Sequence, residues 1–94
     1  MTQWGPTQLG HYTLEQGSSG DKVRQMQEEL NVIAGAYPAL PKIAADGIYG
    51  PATENAVREF QSVFGLPVTG TVDYRTWYKI SEIYVGVSRI AELT

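Results

Sequence analysis

Asp46-Gly47-Ile48-Tyr49-Gly50-Pro51-Ala52-Thr53-Glu54-Asn55-Ala56-Val57-Arg58-Glu59-Phe60-Gln61 reads as a tight turn running straight into an amphipathic helix. Asp46-Gly47 is a turn dipeptide, because glycine tolerates positive φ and aspartate bonds its own backbone. Gly50 stands at the N-cap, and Pro51 fits the first helical position, where its missing N–H costs nothing. Ala56, Val57, Phe60 and Phe64 then make one apolar face. Gly65 follows the last of them and is a natural left-handed stop. Thr53 belongs to the start of the helix and has an architectural reading.

The same syntax returns without a gap in Thr69-Gly70-Thr71-Val72-Asp73-Tyr74-Arg75-Thr76-Trp77-Tyr78-Lys79-Ile80. Gly70 matches Gly47, Val72 matches Tyr49, Thr76 matches Thr53 and Ile80 matches Val57. The chain therefore reads as an internal half-repeat, two turn-helix units set around one core. Asp73 is the N-cap of the last helix, with its carboxylate free for the first amides.

Outward from these units the pattern stays helical. Val23, Met26, Leu30 and Ile33 form a stripe on a first helix from Asp21 to Ala34, with Ser19 or Asp21 as its N-cap and Gly35 as its terminator. Arg24, Gln27, Glu28 and Asn31 fall off that stripe. The loop from Gly35 to Ala45 contains Pro38 and Pro41, and Leu40 and Ile43 tuck under the core. Thr13 to Gln16 is a short extended piece with Leu14 pointing inward. Residues 1–13 are a lead-in without periodicity, in which Trp4 and Tyr12 could fold back on the core; residues 14–94 are the domain. The last helix continues through Trp77, Ile80, Tyr84, Val87 and Ala91, with Gly86 as a point where it could break in two. The expected fold is all-α, a small three-helix bundle.

Composition narrows the chemistry. Ninety-four residues make one small domain. With no cysteine, the chain has neither disulfides nor thiolate ligands, and its stability rests on packing and turn chemistry. A net charge of −3 with interspersed signs argues against nucleic acid and against an anionic membrane surface. No apolar run approaches a spanning helix, and no signal peptide is visible at Met1. His11 is the single histidine, too little for a zinc site or a hydrolytic triad. Glu28-Glu29 and Glu54/Glu59 read as solvated helix faces rather than as a glycosidase pair. Binding without reaction is the reading left, with no cofactor and no metal.

Three ordered blocks carry a resemblance. Leu14-x-x-Gly17-x-x-Gly20-x-x-Val23-x-x-Met26-Gln27-x-x-Leu30 is followed by Asp46-Gly47-x-Tyr49-Gly50-x-x-Thr53-x-x-Ala56-Val57-x-x-Phe60-Gln61. Gly65-Leu66-x-x-Thr69-Gly70-x-Val72-Asp73-x-x-Thr76-Trp77 completes the set. Together they resemble the type 1 peptidoglycan-binding domain, from Leu14 to about Ile80. The resemblance implies a compact three-helix module, non-catalytic, bacterial and attached to cell-wall hydrolases, spore cortex-lytic enzymes or phage lysins. It implies peptidoglycan as partner, glycan strand or stem peptide, an extracellular wall or spore location, and a monomer. A related fold occurs in propeptides of matrix metalloproteases, where an inhibitory cysteine follows the bundle; this chain has none. The loop from Gly35 to Ala45 is longer than the simplest members need, and residues 81–94 are an extra apolar-periodic tail. The rival role is docking on a catalytic domain, as a propeptide-like module or spacer, through an exposed patch between Ile83 and Leu93.

A wall polymer presents sugar faces that stack on rings, and hydroxyls, amides and carboxylates that want polar partners. Six residues at or beside the two turns offer this: Tyr49, Arg58, Gln61, Tyr74, Arg75 and Trp77. Tyr49 and Gln61 can equally serve the core or a turn, and Trp77 lies on the core stripe. Tyr74 and Arg75 have no role in the fold pattern, and Arg75 presents a forked donor suited to a carboxylate.

Overall fold

The computed structural model describes residues 13–93; His11, Trp4 and Tyr12 lie outside them. Three helices follow in order: α1 (Asp21–Ala36), α2 (Pro51–Val63) and α3 (Tyr74–Leu93). No strand occurs among the described residues. Two isolated antiparallel bridges, Leu14 with Val72 and Ser19 with Ile48, tie the leading segment to the two turns.

The stripes read from the sequence converge on one core. Val23, Met26, Leu30 and Ile33 come from α1, Ala56, Val57 and Phe60 from α2, and Trp77 and Ile80 from α3. Connecting segments complete it: Leu14, Leu40, Tyr49 and Val72 are all buried, with Ile43 packed against them. Of the pair Ile48 and Tyr49, Tyr49 faces inward and Ile48 is exposed. α1 and α3 make the closest helix pair.

Helix boundaries depart from the pattern in four places. Neither Ser19 nor Asp21 caps α1. Gly20 is the N-cap at φ 114, without a side-chain hydrogen bond. Its N–H donates to the Gly47 carbonyl at 2.9 Å, which ties the helix start to the first turn, and its own carbonyl accepts from Arg24 N at 3.1 Å, the first bond of the helix. Gly35 does not end α1. The helix runs on to Ala36, and the amide of Tyr37 closes it by donating to Ile33 O at 2.9 Å. The Tyr37 ring meets Phe64 edge-on with centroids 5.1 Å apart, which holds the extra turn in place. α3 passes through Gly86 unbroken, because Ile83 and Tyr84 keep it packed on the core and offset glycine's local penalty.

α2 ends one residue short of Phe64, with Gly65 at φ 75. Leu66 N donates to Gln61 O at 2.8 Å, the closing bond of a Schellman motif. The long loop after α1 is pinned by one side chain. Asn31 Nδ2 donates to Ile43 O at 2.7 Å, and Ile43 N donates back to Asn31 Oδ1 at 2.8 Å.

Candidate functional site

Each turn is clamped by a buried glutamine from the preceding helix. Gln27 Oε1 accepts from Gly47 N at 2.8 Å. Its Nε2 donates to Ile48 O and to Thr53 Oγ1, both at 3.0 Å, and reaches Asp46 Oδ1 at 3.3 Å. Gln61 does the same one unit later. Its Oε1 accepts from Thr69 N at 2.9 Å and Gly70 N at 3.0 Å; its Nε2 donates to Thr71 O at 3.0 Å, Thr69 Oγ1 at 3.1 Å and Thr76 Oγ1 at 3.2 Å. Gln27 and Gln61 are 0 % and 1 % exposed, so their full complement of partners is what makes their burial tolerable. Gly47 and Gly70 take φ 79 and 78, a left-handed backbone that side chains resist. The half-repeat is thus a repeated device of helix glutamine, left-handed glycine and helix-start threonine.

Other turn residues act locally. Asp46 Oδ1 accepts from Ile48 N at 3.0 Å. The Gly50 carbonyl takes the Glu54 amide at 3.0 Å. Asp73 Oδ1 accepts from Thr76 N at 3.1 Å and the Asp73 carbonyl from Trp77 N at 2.9 Å, which caps α3.

The six residues proposed for ligand contact separate into two groups. Tyr49, Gln61 and Trp77 are at most 1 % exposed and present no surface to a polymer. They are withdrawn as contact residues, because core packing and turn clamping consume their side chains. The Tyr49 hydroxyl donates to Gly70 O at 2.6 Å, joining the first unit to the second turn. Desolvation holds that phenol above its ordinary range, so it stays a donor.

Arg58, Tyr74 and Arg75 remain on the outside. Arg58 Nε and Nη2 donate to Glu54 Oε2 at 3.1 and 2.9 Å. A short hydrogen bond from Gln16 Nε2 to Glu54 Oε1 extends the cluster. The Gln16 bond first, and then the Arg58 bonds, hold the Glu54 carboxyl below its ordinary value. Gln16, Pro51, Glu54, Asn55 and Arg58 line a shallow depression of about 250 Å³. Arg58 lies directly against Gly70, where an added Cβ would meet its Nε at 2.9 Å. Four residues on, α3 opens with Tyr74, 47 % exposed, set edge-on to Tyr78 with centroids 6.2 Å apart. Arg75 Nη2 reaches Asp73 Oδ2 at 3.5 Å and is otherwise open to solvent. Four consecutive Cα–Cα steps span at most about 15 Å, so the Arg58 cluster and the tyrosine pair flank one turn.

Sequence reasoning missed Tyr78, Gln27 and the Gln16–Glu54 link. The four-residue spacing from Tyr74 to Tyr78 was a usable signal, as was Glu54 to Arg58. Gln27 stands in the first motif block, but its clamping role had no local signal, since its partners lie 19 to 26 residues away. Glu29, expected on a solvated helix face, is 7 % exposed, because α3 packs over that side of α1. Among the described residues, no group of three or more His, Cys, Asp or Glu is placed to hold a metal ion. No helix among them is long and apolar enough to cross a membrane.

Comparison with known proteins places this architecture. The peptidoglycan binding domain family matches residues 19–80, which hold both turn units and all three helix starts, and the chain belongs to that family. It is 42 % identical over 72 residues to a zinc D-Ala-D-Ala carboxypeptidase of Streptomyces albus G, covering 76 % of this chain and 27 % of that protein. It is 32 % identical over 68 residues to a spore cortex-lytic enzyme of Bacillus cereus, covering 72 % of this chain and 24 % of the enzyme. The chain thus spans about a quarter of the length of these two relatives. The SleB N-terminal domain superimposes with a TM-score of 0.66 at 30 % identity, over 78 % of this chain and 93 % of that domain.

Proposed function

We propose that this module binds cell-wall peptidoglycan without catalysing its cleavage and holds an attached or partner hydrolase on the wall. Membership of the peptidoglycan binding domain family over residues 19–80 carries the reading. The contact surface is the outer side of the second turn, with Arg58, Tyr74 and Arg75 joined by Tyr78. The tyrosine rings offer faces for sugars, and the guanidinium groups offer forked donors for stem-peptide carboxylates. The turn below them is held by Gln61 and Tyr49, so the surface is pre-formed and binding orders little backbone. A single small surface of this kind binds weakly. Tethering converts that weak affinity into a local concentration on the order of millimolar for the hydrolase beside it. The module acts as a monomer outside the cell, on vegetative wall or spore cortex.

Co-sedimentation with purified, protein-free peptidoglycan tests this, with chitin and cellulose as controls. Saturable retention by peptidoglycan alone is the expected result. Equal retention by all three polymers, or by none, overturns it.

One observation favours a second reading, docking on a catalytic domain. Val85 and Ile90 on α3 are 45 % and 65 % exposed, an apolar presentation beyond the residues that the family match covers. Failure to sediment, together with saturable binding to a covalently linked or co-expressed hydrolase domain, would select it.

A further inference from the structure

A groove between α1 and α3 lies apart from the turn surface. It has a volume of about 400 Å³, and its lining includes Gln25, Glu28, Glu29, Val32, Tyr84 and Val85. Glu29 is 93 % buried, the complement of its 7 % exposure, yet only one of its oxygens is satisfied. Gln25 Nε2 donates to Oε2 at 3.2 Å, while Oε1 is buried without a hydrogen-bond partner. Native proteins rarely leave a buried carboxylate oxygen in that state, and such an atom calls for a partner such as a water, an ion or a ligand group.

The chemistry of the lining selects the ligand. No Lys or Arg lines the groove, and Glu28 adds a second acidic group to it. Val32, Tyr84 and Val85 supply apolar walls for an aliphatic stem. Gln25 already donates to Oε2, which leaves Oε1 as the acceptor without a partner. A compact ammonium needs no more than that.

We propose that the α1–α3 groove is a subsite for an alkylammonium group, the free side-chain amine of a diamino acid in the wall polymer's stem peptide. The identity of that source rests on the peptidoglycan-binding reading above. The methylenes lie along Val32, Tyr84 and Val85, and the ammonium donates to Glu29.

Amide chemical shifts followed during titration with Nα-acetyl-lysine methylamide test the groove, with the norleucine analogue as an uncharged control. Saturable shifts around Glu29, Ser81 and Val85 with the lysine probe alone are expected. Glu29→Gln keeps the shape and should weaken the lysine probe by roughly tenfold, the scale of one charge-assisted hydrogen bond, while melting no lower than wild type. Equal shifts with norleucine, no saturable shifts, or wild-type affinity in Glu29→Gln overturns the subsite. Sedimentation with peptidoglycan whose free amines are acetylated tests the source. Reduced retention supports it, whereas unchanged retention overturns the stem-peptide assignment and leaves wall binding intact. Lysine shifts without retention on native polymer count against wall binding and leave the groove standing.

Discussion

Gln61 carries more of the local architecture than its type suggests. Removing its amide strands two backbone donors, Thr69 N and Gly70 N, the second of them buried, and leaves the Thr71 carbonyl with Thr69 Oγ1 alone. Gln61→Ala should cost about 3 kcal/mol or more, since each unsatisfied buried group costs about 1–3 kcal/mol. Gln27→Ala should be comparable, losing Gly47 N, Ile48 O and Thr53 Oγ1 together. Urea unfolding followed by far-ultraviolet circular dichroism measures both, and a cost below about 1 kcal/mol would show that water replaces the amide. Glu29 makes a prediction of opposite character. Desolvation raises its pKa above the ordinary 4.5, outweighing the Gln25 hydrogen bond that lowers it. The folded state therefore holds a proton that the unfolded state releases, and stability falls as pH rises from about 4.5 through the folded value. Glu29→Gln should remove that decline. Thermal melts of both proteins between about pH 4 and pH 8 check the sign, and parallel curves would contradict it.

Helix continuity separates local preference from packing. Gly35 and Gly86 both read as breaks, yet both sit inside helices, and a Cβ at either meets nothing within 4 Å. Their backbone is ordinary helix, so alanine relieves glycine's entropic cost without a clash. Gly35→Ala and Gly86→Ala should each stabilise by about 0.5–1 kcal/mol, read as a rise in melting temperature. The turn glycines behave in the reverse sense. At Gly47 an added Cβ meets the Gly20 carbonyl oxygen at 3.3 Å, and the φ of 79 is itself unfavourable. Gly47→Ala should cost about 1–2 kcal/mol from backbone strain, before any repacking. Four glycines with identical composition thus divide by environment into two that gain from a side chain and two, Gly47 and Gly70, that do not.

Over the assembled molecule, the two units meet at Gly70, whose carbonyl accepts the Tyr49 hydroxyl, whose N–H donates to Gln61 Oε1 and against which the Arg58 side chain lies. That convergence lets a buried framework of Tyr49, Gln61 and Gly70 carry an exposed surface, with Arg58 touching both. Tyr74→Ala, Tyr78→Ala and Arg75→Ala should therefore melt within about 0.5 kcal/mol of wild type, as exposed substitutions do. Their retention on peptidoglycan should fall, most for the double tyrosine variant, as read by co-sedimentation. Wild-type retention in the double tyrosine and Arg75 variants would move the contact surface away from the second turn.

Much of this was legible in the chain. The apolar stripes, the Asp46-Gly47 and Thr69-Gly70 turns and the Pro51 helix start are local facts, since spacing and φ preference operate within a few residues. They sufficed for three helices, for the inward placement of Leu14 and Leu40, and for the family resemblance. The partition of the six was legible only in part: Trp77 lies on the core stripe and Tyr74 and Arg75 lie outside the fold pattern, but Tyr49 and Gln61 suit a core and a groove equally. A ring or an amide has the same chemistry in a core and in a groove, and only the packing of α2 and α3 against the turns assigns it. Gln27, Asn31 and Glu29 make the same point from α1. All three lie off its main apolar stripe, and each acquires its role from a segment that folding brings to it: a turn, a loop and the flank of α3. Short-range preference sets the elements; which polar side chains become buried depends on contacts between elements distant along the chain.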